Sequence, residues 1–224
     1  RSISHDLRTP LTSISGNAGI LLSNGDTLKQ EKKQQLYSDI YDDALWLINL
    51  VENLLAVTKI EEGSMHLKMS AELMDEVITE ALHHVNKKKD EHTIKVVQTE
   101  DFILAKMDAR LIVQVIINIV DNAIKYTPTG STITISTTKK DKQVIVDIAD
   151  DGPGIPDQAK ERIFDMFYIA PNEVVDSHRS LGLGLALCKS IINAHGGEIS
   201  VLDNKPKGTV FRFTLPAEEV NLYE

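Results

Sequence analysis

The sequence predicts an α+β protein, with a two-helix hairpin first and a domain of mixed helices and strands after it. Apolar side chains in residues 2–62 recur at helical spacing, without the alternation that is typical of strands. From about Met69 onward, short alternating segments separate the helical ones. A chain of 224 residues is long enough for one large domain or two modest ones. We therefore predict two units, 1–66 and 67–224, with the boundary near Gly63 to Ser70.

The N-terminal unit is predicted to be an antiparallel helical hairpin. Leu7, Leu11 and Ile14 set the helical period of the first helix, and Gly25 follows its end. The second helix is predicted from about Lys29 to Ile60. Two long helices joined by a short loop form a hairpin, but a lone hairpin cannot cover both of its apolar stripes. We therefore expect a two-fold dimer that completes a four-helix bundle.

The first helix contains the segment Ser4-His5-Asp6-Leu7-Arg8-Thr9-Pro10-Leu11. A proline inside a helix removes a backbone hydrogen bond, at about 3 kcal/mol, so its presence calls for a reason. His5 and Thr9 are four residues apart and share a helix face, whereas the adjacent Asp6 could reach the imidazole only sideways. A single exposed histidine usually has no catalytic role. The combination of His5, Asp6 and Pro10 makes a functional site the more specific interpretation.

A helix with two contrasting faces, within Asn118 to Pro128, lies at the centre of the second unit. Amide oxygens suit a hard cation such as Mg²⁺, an ammonium suits phosphate, and an aromatic ring suits a base. For this segment alone, a solvated helix side is an equally good interpretation. The apolar positions are Val113, Ile116, Ile117, Val120 and Ile124, and the polar positions are Asn118, Asn122, Lys125 and Tyr126.

The remaining elements of the second unit follow from periodicity and turn signals, with Asp108 expected to cap the helix just described. The segments predicted as strands are Thr93–Gln98, Ile103–Met107, Thr132–Thr138, Gln143–Ala149, Glu198–Leu202 and Thr209–Leu215. The other segments predicted as helices are Leu73–Val85, Lys160–Phe167 and Ala186–His195.

Two glycine pairs lie where a nucleotide could approach the backbone. Gly152 and Gly154 permit positive φ angles and close contact with a ligand, and Asp150 can accept a hydrogen bond from an exocyclic amine. The pair in Gly182–Gly184 precedes a helix, so backbone N–H groups can face phosphate oxygens there. The irregular residues 170–181 have a suitable length for a lid. Either pair alone is weak evidence, but their conjunction with the polar helix is specific.

Composition excludes several other classes of function. A formal net charge of −9 argues against a nucleic-acid partner. The single cysteine, Cys188, excludes an internal disulfide and is expected to be a buried structural thiol. The sequence contains no P-loop, no protein-kinase motif set and no apolar run of transmembrane length. We expect a soluble chain that is part of something larger, because Arg1 begins in the middle of a helical pattern.

This order of motifs resembles that of the sensor histidine kinases of two-component systems, and the resemblance covers nearly the whole chain. The family's H, N, first G, F and second G boxes correspond to Ser4–Leu11, Asn118–Pro128, Asp150–Gly154, Phe164–Phe167 and Gly182–Gly184, with a further glycine motif at Gly208–Thr209. The resemblance implies a GHKL-type (Bergerat) α/β sandwich for residues 67–224, in which helices cover one face of a mixed sheet.

The resemblance also implies ATP and Mg²⁺ as cofactors of the second unit. Asn122 would ligate Mg²⁺ with help from Asn118, and Asp150 would bind the adenine amine. Lys125 would contact phosphate, and Tyr126 would lie against the nucleotide. The full set of implied nucleotide-binding residues is Asn118, Asn122, Lys125, Tyr126, Asp150, Gly152, Gly154, Gly182, Leu183, Gly184 and Thr209.

For residues 1–66 the resemblance implies dimerisation and phosphotransfer. His5 would attack the γ-phosphate, Asp6 would accept its proton, and Thr9 would position a water when phosphate is later removed. The phosphoryl group would pass to an aspartate on the receiver domain of a response regulator, with phosphatase activity toward that regulator. The chain would be the cytoplasmic portion of a membrane-anchored sensor kinase, a homodimer without direct membrane contact.

Two other functions fit parts of the same pattern. A GHKL-type ATPase could hydrolyse ATP to drive a clamp, although a clamp needs no histidine in the hairpin. A dimeric scaffold could bind nucleotide without transfer, and Ser180, where the second G box usually has another glycine, leaves room for that alternative. Replacing His5 discriminates among the three, because only the kinase depends on it.

Overall fold

The computed structural model describes residues 3–85, 91–168 and 182–219. The predicted hairpin is present as α1 (Ile3–Asn24) and α2 (Gln30–Glu61), which pack against each other, and Pro10 lies inside α1 as expected. Gly25 follows α1 without the left-handed φ of a glycine cap. A Cβ at Gly25 would instead overlap the carbonyl oxygen of Leu21, so close approach is what requires glycine there.

The second unit contains an open mixed sheet and a small additional strand pair. The five-stranded sheet has the order β2-β4-β5-β7-β6, in which β2 runs parallel to β4 and all other neighbours are antiparallel. Strands β1 and β3 pair antiparallel. The elements are β1 (Ser70–Leu73), α3 (Met74–His84), β2 (Thr93–Gln98), β3 (Leu104–Met107), α4 (Ala109–Tyr126), β4 (Thr132–Lys140), β5 (Gln143–Asp150), α5 (Asp157–Lys160), α6 (Gly184–Ala194), β6 (Ile199–Asp203) and β7 (Thr209–Pro216).

One face of this sheet is covered by helices, which confirms the predicted α/β sandwich. Alternate residues of β5 and β7 point into the core, and α4 packs between α3 and α6 above them. Each such side chain contributes about 1.5–3 kcal/mol when it is fully buried. The inward residues of the two strands are Val144, Val146, Ile148, Phe211, Phe213 and Leu215.

The C-terminal end of α2 packs against the second unit. Val57 is only 1% exposed and belongs to the same core as α6, and Ala56 and Ile60 pack on that core. The division at residue 66 therefore stays a prediction. None of the helices within the described residues is long and apolar enough to cross a membrane.

Three local details differ from what the sequence indicates, and in each a contact with a distant part of the chain competes with the local signal. Strand β1 was not predicted, and it exists through its pairing with β3. Asp108 is the N-cap residue of α4, as predicted, but its side chain makes no capping hydrogen bond, because its carboxylate accepts hydrogen bonds from Lys68 N–H and from the Arg110 guanidinium. The helix predicted over Lys160–Phe167 ends at Lys160 instead.

After Lys160 the chain continues in turns, with backbone hydrogen bonds such as Ile163 N–H to the Ala159 oxygen and Asp165 N–H to the Arg162 oxygen, and side-chain packing holds this segment in place. Phe164 meets the ring of Phe211 edge-on, with ring centroids 6.2 Å apart. Phe167 has a φ of 64°, which a continuing helix does not allow. The Lys160 ammonium contacts the carboxylates of Asp157 and Asp203, which fixes α5 to the end of β6.

Candidate functional site

Helix α4 presents the predicted polar face beside the core. Asn118, Asn122 and Tyr126 are half-buried, and Lys125 is exposed with its Nζ 4.9 Å from the centre of the Tyr126 ring. The apolar stripe is rotated from the predicted one, since Val113 and Ile117 are only partly buried. The fully buried positions are Ile112, Val115, Ile116, Ile119 and Val120.

The polar face of α4 contacts the second glycine motif directly. The side-chain amide of Asn118 donates a long hydrogen bond of 3.5 Å to the carbonyl oxygen of Gly184, the first residue of α6. Leu183, just before it, is buried. Cys188, one turn further along α6, is fully buried as predicted, and burial raises the pKa of its thiol to about 12 despite a hydrogen bond with Asn118.

The carboxylate of Asp150 is buried at the end of β5 and is held by backbone donors. Its Oδ1 accepts hydrogen bonds from the N–H groups of Gly152, at 2.9 Å, and of Thr209, at 3.3 Å. Burial raises the pKa of this carboxyl above its ordinary value, although the two N–H donors oppose the shift. An acceptor that is kept dry in this way suits a neutral N–H donor such as an exocyclic amine.

The turn between β6 and β7 supports Asp150 from the other side. Asn204 donates from its side-chain amide to the backbone oxygen of Asp150, at 2.8 Å. Gly208 has a φ of 111°, and a Cβ there would overlap the same oxygen. Gly154, with a φ of 83°, would bring a Cβ within 3.4 Å of the Gly208 oxygen. Glycine is therefore required where these two turns meet.

The predicted lid, residues 170–181, lies outside the described residues, but the residues that flank it touch. Phe167 N–H donates to the carbonyl oxygen of Gly182, at 3.1 Å. Gly182 has a φ of 64°, and a Cβ there would overlap the backbone of Tyr168. Residues 167–168 and residue 182, on the two sides of the predicted lid, are therefore in contact beside the start of α6.

The predicted site residues form two groups. Those predicted for the nucleotide lie on α4, at the end of β5 and in the turn after it, at the start of β7, and at or just before the start of α6. The contacts above join Asn118 to Gly184 and Asp150 to Gly152 and Thr209. His5, Asp6 and Thr9 lie on α1, and the side-chain positions of His5 and Asp6 are outside the described part of the chain. The roles predicted for all of these residues stay predictions.

Sequence reasoning missed three side chains beside the first glycine turn: Asn204, Thr127 and His92. Asn204 contacts Asp150 from 54 residues away, and His92 contacts Thr127 from 35 residues away. Thr127 is part of the segment singled out as a helix with a polar face, but its hydroxyl was given no role. An asparagine in a turn or a histidine before a strand carries no local signal of such contacts.

A further buried network fixes the ends of α4 and α6 relative to each other. The ring of His195, at the end of α6, accepts the N–H of Asp108 at its Nε2 and donates from Nδ1 to the carbonyl oxygen of Ile191, at 3.0 and 2.7 Å. Burial lowers the pKa of His195, so the neutral ring is the form that the fold holds. The helices that carry Asn118 and Gly184 are therefore joined at their far ends as well.

Comparisons with known proteins match both units. The model of the His Kinase A (phospho-acceptor) domain matches residues 1–63, and that of the histidine kinase-, DNA gyrase B- and HSP90-like ATPase matches residues 107–219. Sensor protein KdpD of Clostridium acetobutylicum is 47% identical over 218 residues, which are 97% of this chain and 24% of KdpD. The chain therefore spans about a quarter of the length of that relative.

Solved structures agree with the fold over nearly the whole chain. The histidine kinase AdeS of Acinetobacter baumannii superposes with a TM-score of 0.76 at 24% identity, covering 97% of this chain and 100% of that one. The histidine kinase ThkA, solved in complex with the response regulator protein TrrA, gives a TM-score of 0.73 at 27% identity, covering 96% of this chain and 60% of that one.

Proposed function

The chain belongs to the family of histidine kinase-, DNA gyrase B- and HSP90-like ATPases, as the catalytic core of a sensor histidine kinase, and from this premise we propose that it transfers the γ-phosphoryl group of ATP to its own His5. The observation that carries the proposal is the meeting of the N and second G boxes at the contact between Asn118 and Gly184. One helix face and one helix start then border a single site, with the buried Asp150 carboxylate as its adenine acceptor.

Mg²⁺ fits the donors that this site offers. The Asn118 amide nitrogen is engaged by Gly184, which leaves the amide oxygen as a ligand beside the half-buried Asn122. No cluster of three or more His, Cys, Asp or Glu ligands occurs among the described residues, which suits an ion held largely by phosphate oxygens and water. When bound, Mg²⁺ supplies positive charge to the phosphates. Asn122 would hold it, with Asn118 assisting, while Lys125 contacts phosphate and Tyr126 the nucleotide.

The transfer itself needs a nucleophile, a base and in-line placement. An imidazole nitrogen of His5 forms the new bond to the γ-phosphorus as the bond from that phosphorus to the β-phosphate oxygen breaks, and ADP leaves. Asp6, the next residue on α1, accepts the imidazole proton. Residues 1–66 then carry the phosphoryl group and residues 67–224 the nucleotide.

We further propose that the hairpin dimerises. Helix α2 buries only Leu36, Leu50 and Val57, and it leaves a row of large apolar side chains exposed at helical spacing. Exposed apolar surface of this kind marks an interface. The exposed row is Tyr37, Tyr41, Leu45, Ile48, Val51 and Leu55, with exposed fractions between 42% and 64%.

Replacing Ile48 with glutamate is expected to convert a dimer into a monomer, because it places a charge in the middle of that row. Sedimentation equilibrium measures the mass of each variant. Asn49→Glu adds the same charge at the neighbouring exposed position, off the row, and should remain dimeric. A wild-type chain that is monomeric at micromolar concentration, or an Ile48 variant that stays dimeric, would contradict the proposed interface.

The acceptor of the phosphoryl group is proposed to be an aspartate on the receiver domain of a response regulator. The resemblance to KdpD points to a KdpE-like regulator, and the ThkA complex with TrrA gives a precedent for such a partner. Thr9 would position water for a phosphatase reaction, measured as loss of label from the phosphorylated receiver. Anchoring of the whole protein in a membrane is part of the same proposal.

The experiment that tests this function follows labelled phosphate from ATP. The chain is incubated with γ-labelled ATP and Mg²⁺, and a receiver domain is then added. A kinase labels itself first and the receiver afterwards, whereas a clamp ATPase releases inorganic phosphate without labelling protein. A scaffold binds ATP and does neither, so either of those outcomes would overturn the proposal.

A further inference from the structure

The segment before β2 is joined to the loop after α4, which borders the proposed adenine site. Gly130 N–H donates to the carbonyl oxygen of Glu91 at 2.7 Å, and Thr93 N–H donates to that of Ser131 at 3.0 Å. Between these two backbone bonds, His92 Nε2 lies 2.9 Å from the hydroxyl of Thr127. One side-chain contact is therefore held in a fixed frame of backbone hydrogen bonds.

The direction of that side-chain hydrogen bond follows from the inventory of hydrogens. The Thr127 hydroxyl donates its single hydrogen to the carbonyl oxygen of Ala123, at 2.6 Å. His92 must therefore donate from Nε2, so its other ring nitrogen, Nδ1, takes no part in this bond. That Nδ1 is buried and has no partner among residues 3–85, 91–168 and 182–219. The Thr127 side chain is 9% exposed, and its hydroxyl is hydrogen-bonded to one donor and one acceptor. These two bonds set the direction of its methyl group.

The methyl group of Thr127 packs against the turn that holds Asp150. A Cβ built on Gly152 would lie only 2.6 Å from Thr127 Cγ2 and 3.0 Å from Asp150 Oδ1. Gly152 N–H donates the shorter of the two backbone hydrogen bonds that this carboxylate oxygen accepts, the other coming from Thr209. A shift of the Thr127 side chain would therefore move the peptide that orients the carboxylate.

We propose that His92 is a positioning residue for adenine recognition, acting through Thr127 and the Gly152 peptide on the carboxylate of Asp150. This inference rests on the proposed role of Asp150 as the acceptor of the adenine amine. It assigns to His92 no contact with the nucleotide. His92 affects which base the site prefers, because the group that His92 positions is the Asp150 acceptor.

Base preference separates this role from a merely structural one. Purine riboside triphosphate carries a hydrogen in place of the exocyclic amine of ATP and shares its ribose, its phosphates and its unprotonated N1. A general loss of stability lowers the affinity for both nucleotides alike. A misplaced Asp150 carboxylate lowers the affinity for ATP alone, so the ratio of the two affinities reports on the proposed contact.

The experiment measures that ratio by calorimetric titration with each Mg-nucleotide, for five variants. His92→Leu removes the donor and Thr127→Val removes the hydroxyl. Each should lower the ratio about fivefold, the effect of one hydrogen bond, and should change the affinity for purine riboside triphosphate less than about twofold. His92→Gln, which keeps an N–H donor near the Nε2 position, should preserve most of the ratio. His84→Leu, which removes an exposed histidine paired with Glu80, is the matched control and should preserve all of it. The fifth variant is Asp150→Asn.

The outcomes separate the two layers of the proposal. If Asp150→Asn keeps the ratio of the wild type, the adenine role of Asp150 is wrong. If Asp150→Asn removes the preference for ATP but Thr127→Val keeps the wild-type ratio of affinities, the inference about His92 is overturned while the proposed function stands. Should His92→Leu fail to fold, as seen by circular dichroism, Thr127→Val decides the matter, because valine matches threonine in shape.

Discussion

Replacing Asp150 with asparagine is expected to lower the affinity for ATP about a hundredfold without lowering the stability of the fold. The asparagine oxygen can still accept the N–H groups of Gly152 and Thr209. The other side-chain position becomes an amide donor facing the adenine amine, which is also a donor. A site that loses the acceptor matched to a ligand donor rejects the ligand strongly, because the facing groups are left unpaired.

Stability should respond in the opposite direction, because burial raises the pKa of Asp150 above its ordinary value of 3.8. A carboxyl group whose pKa is raised on folding contributes stability below its unfolded pKa and loses that contribution as the pH rises through the folded value. At neutral pH the ionised carboxylate therefore opposes folding. We expect Asp150→Asn to unfold at an equal or higher temperature than the wild type at pH 7, and this advantage should fade as the pH falls to about 4.

The matched control for this variant is Asp147→Asn in the same strand. Asp147 points to the opposite face of the sheet, where its two carboxylate oxygens accept hydrogen bonds from Nε and Nη2 of Arg212, at 2.7 Å each. Breaking that half-exposed pair should cost at most about 1 kcal/mol of stability and leave ATP affinity unchanged. Calorimetric titration and thermal unfolding of both variants test the pair of expectations. Equal ATP affinity in the two variants would contradict the role given to Asp150.

Replacing Gly208 with alanine is expected to destabilise the fold by about 3 kcal/mol or more and to abolish ATP binding. The backbone φ of 111° at this position disfavours any residue with a Cβ, and the added atom would overlap the carbonyl oxygen of Asp150. Relief requires the β6–β7 turn to move away from β5. That movement would break the hydrogen bond from Asn204 to the same oxygen and misplace Thr209.

Gly196→Ala is the matched control for backbone strain alone. Gly196 also has a positive φ, 74°, but no atom in the described part of the chain lies within 4 Å of a Cβ built there. The strain by itself should cost about 1–2 kcal/mol. Denaturant unfolding gives the stability of each variant, and titration gives its ATP affinity. If the two alanine variants lose the same stability and both bind ATP, the close approach at Gly208 has no functional consequence.

The parts of the site that were predicted from sequence are those whose chemistry is local. The Asp150–Gly154 turn can be recognised in the sequence because the acceptor and the glycines that shape its backbone are within five residues of one another. The polar face of α4 was predicted for the same reason, since helical spacing alone brings Asn118 and Asn122 together. The hairpin and the strands β2 to β7 likewise follow from short-range periodicity.

What could not be predicted depends on contacts between distant parts of the chain. Strand β1 exists because it pairs with β3, and the segment around Phe164 leaves the helical path because Phe211 and Asp203 hold it. Val113 and Ile117 look as apolar as Val115, but only the packing of α3 and α6 decides which of them is fully buried. The sequence around His92 gives no sign of a role, because its hydrogen bond with Thr127 forms only in the folded chain.

The central claim, that His5 receives the γ-phosphoryl group of ATP, is tested most directly by labelling the wild-type chain and His5→Gln side by side. Each protein is incubated with γ-labelled ATP and Mg²⁺, and the product is exposed to acid and to alkali. We expect a label on the wild type that acid removes and alkali leaves, as for phosphohistidine, and none on the variant, although the variant binds ATP as well as the wild type does. Label that persists on the His5 variant would contradict the claim.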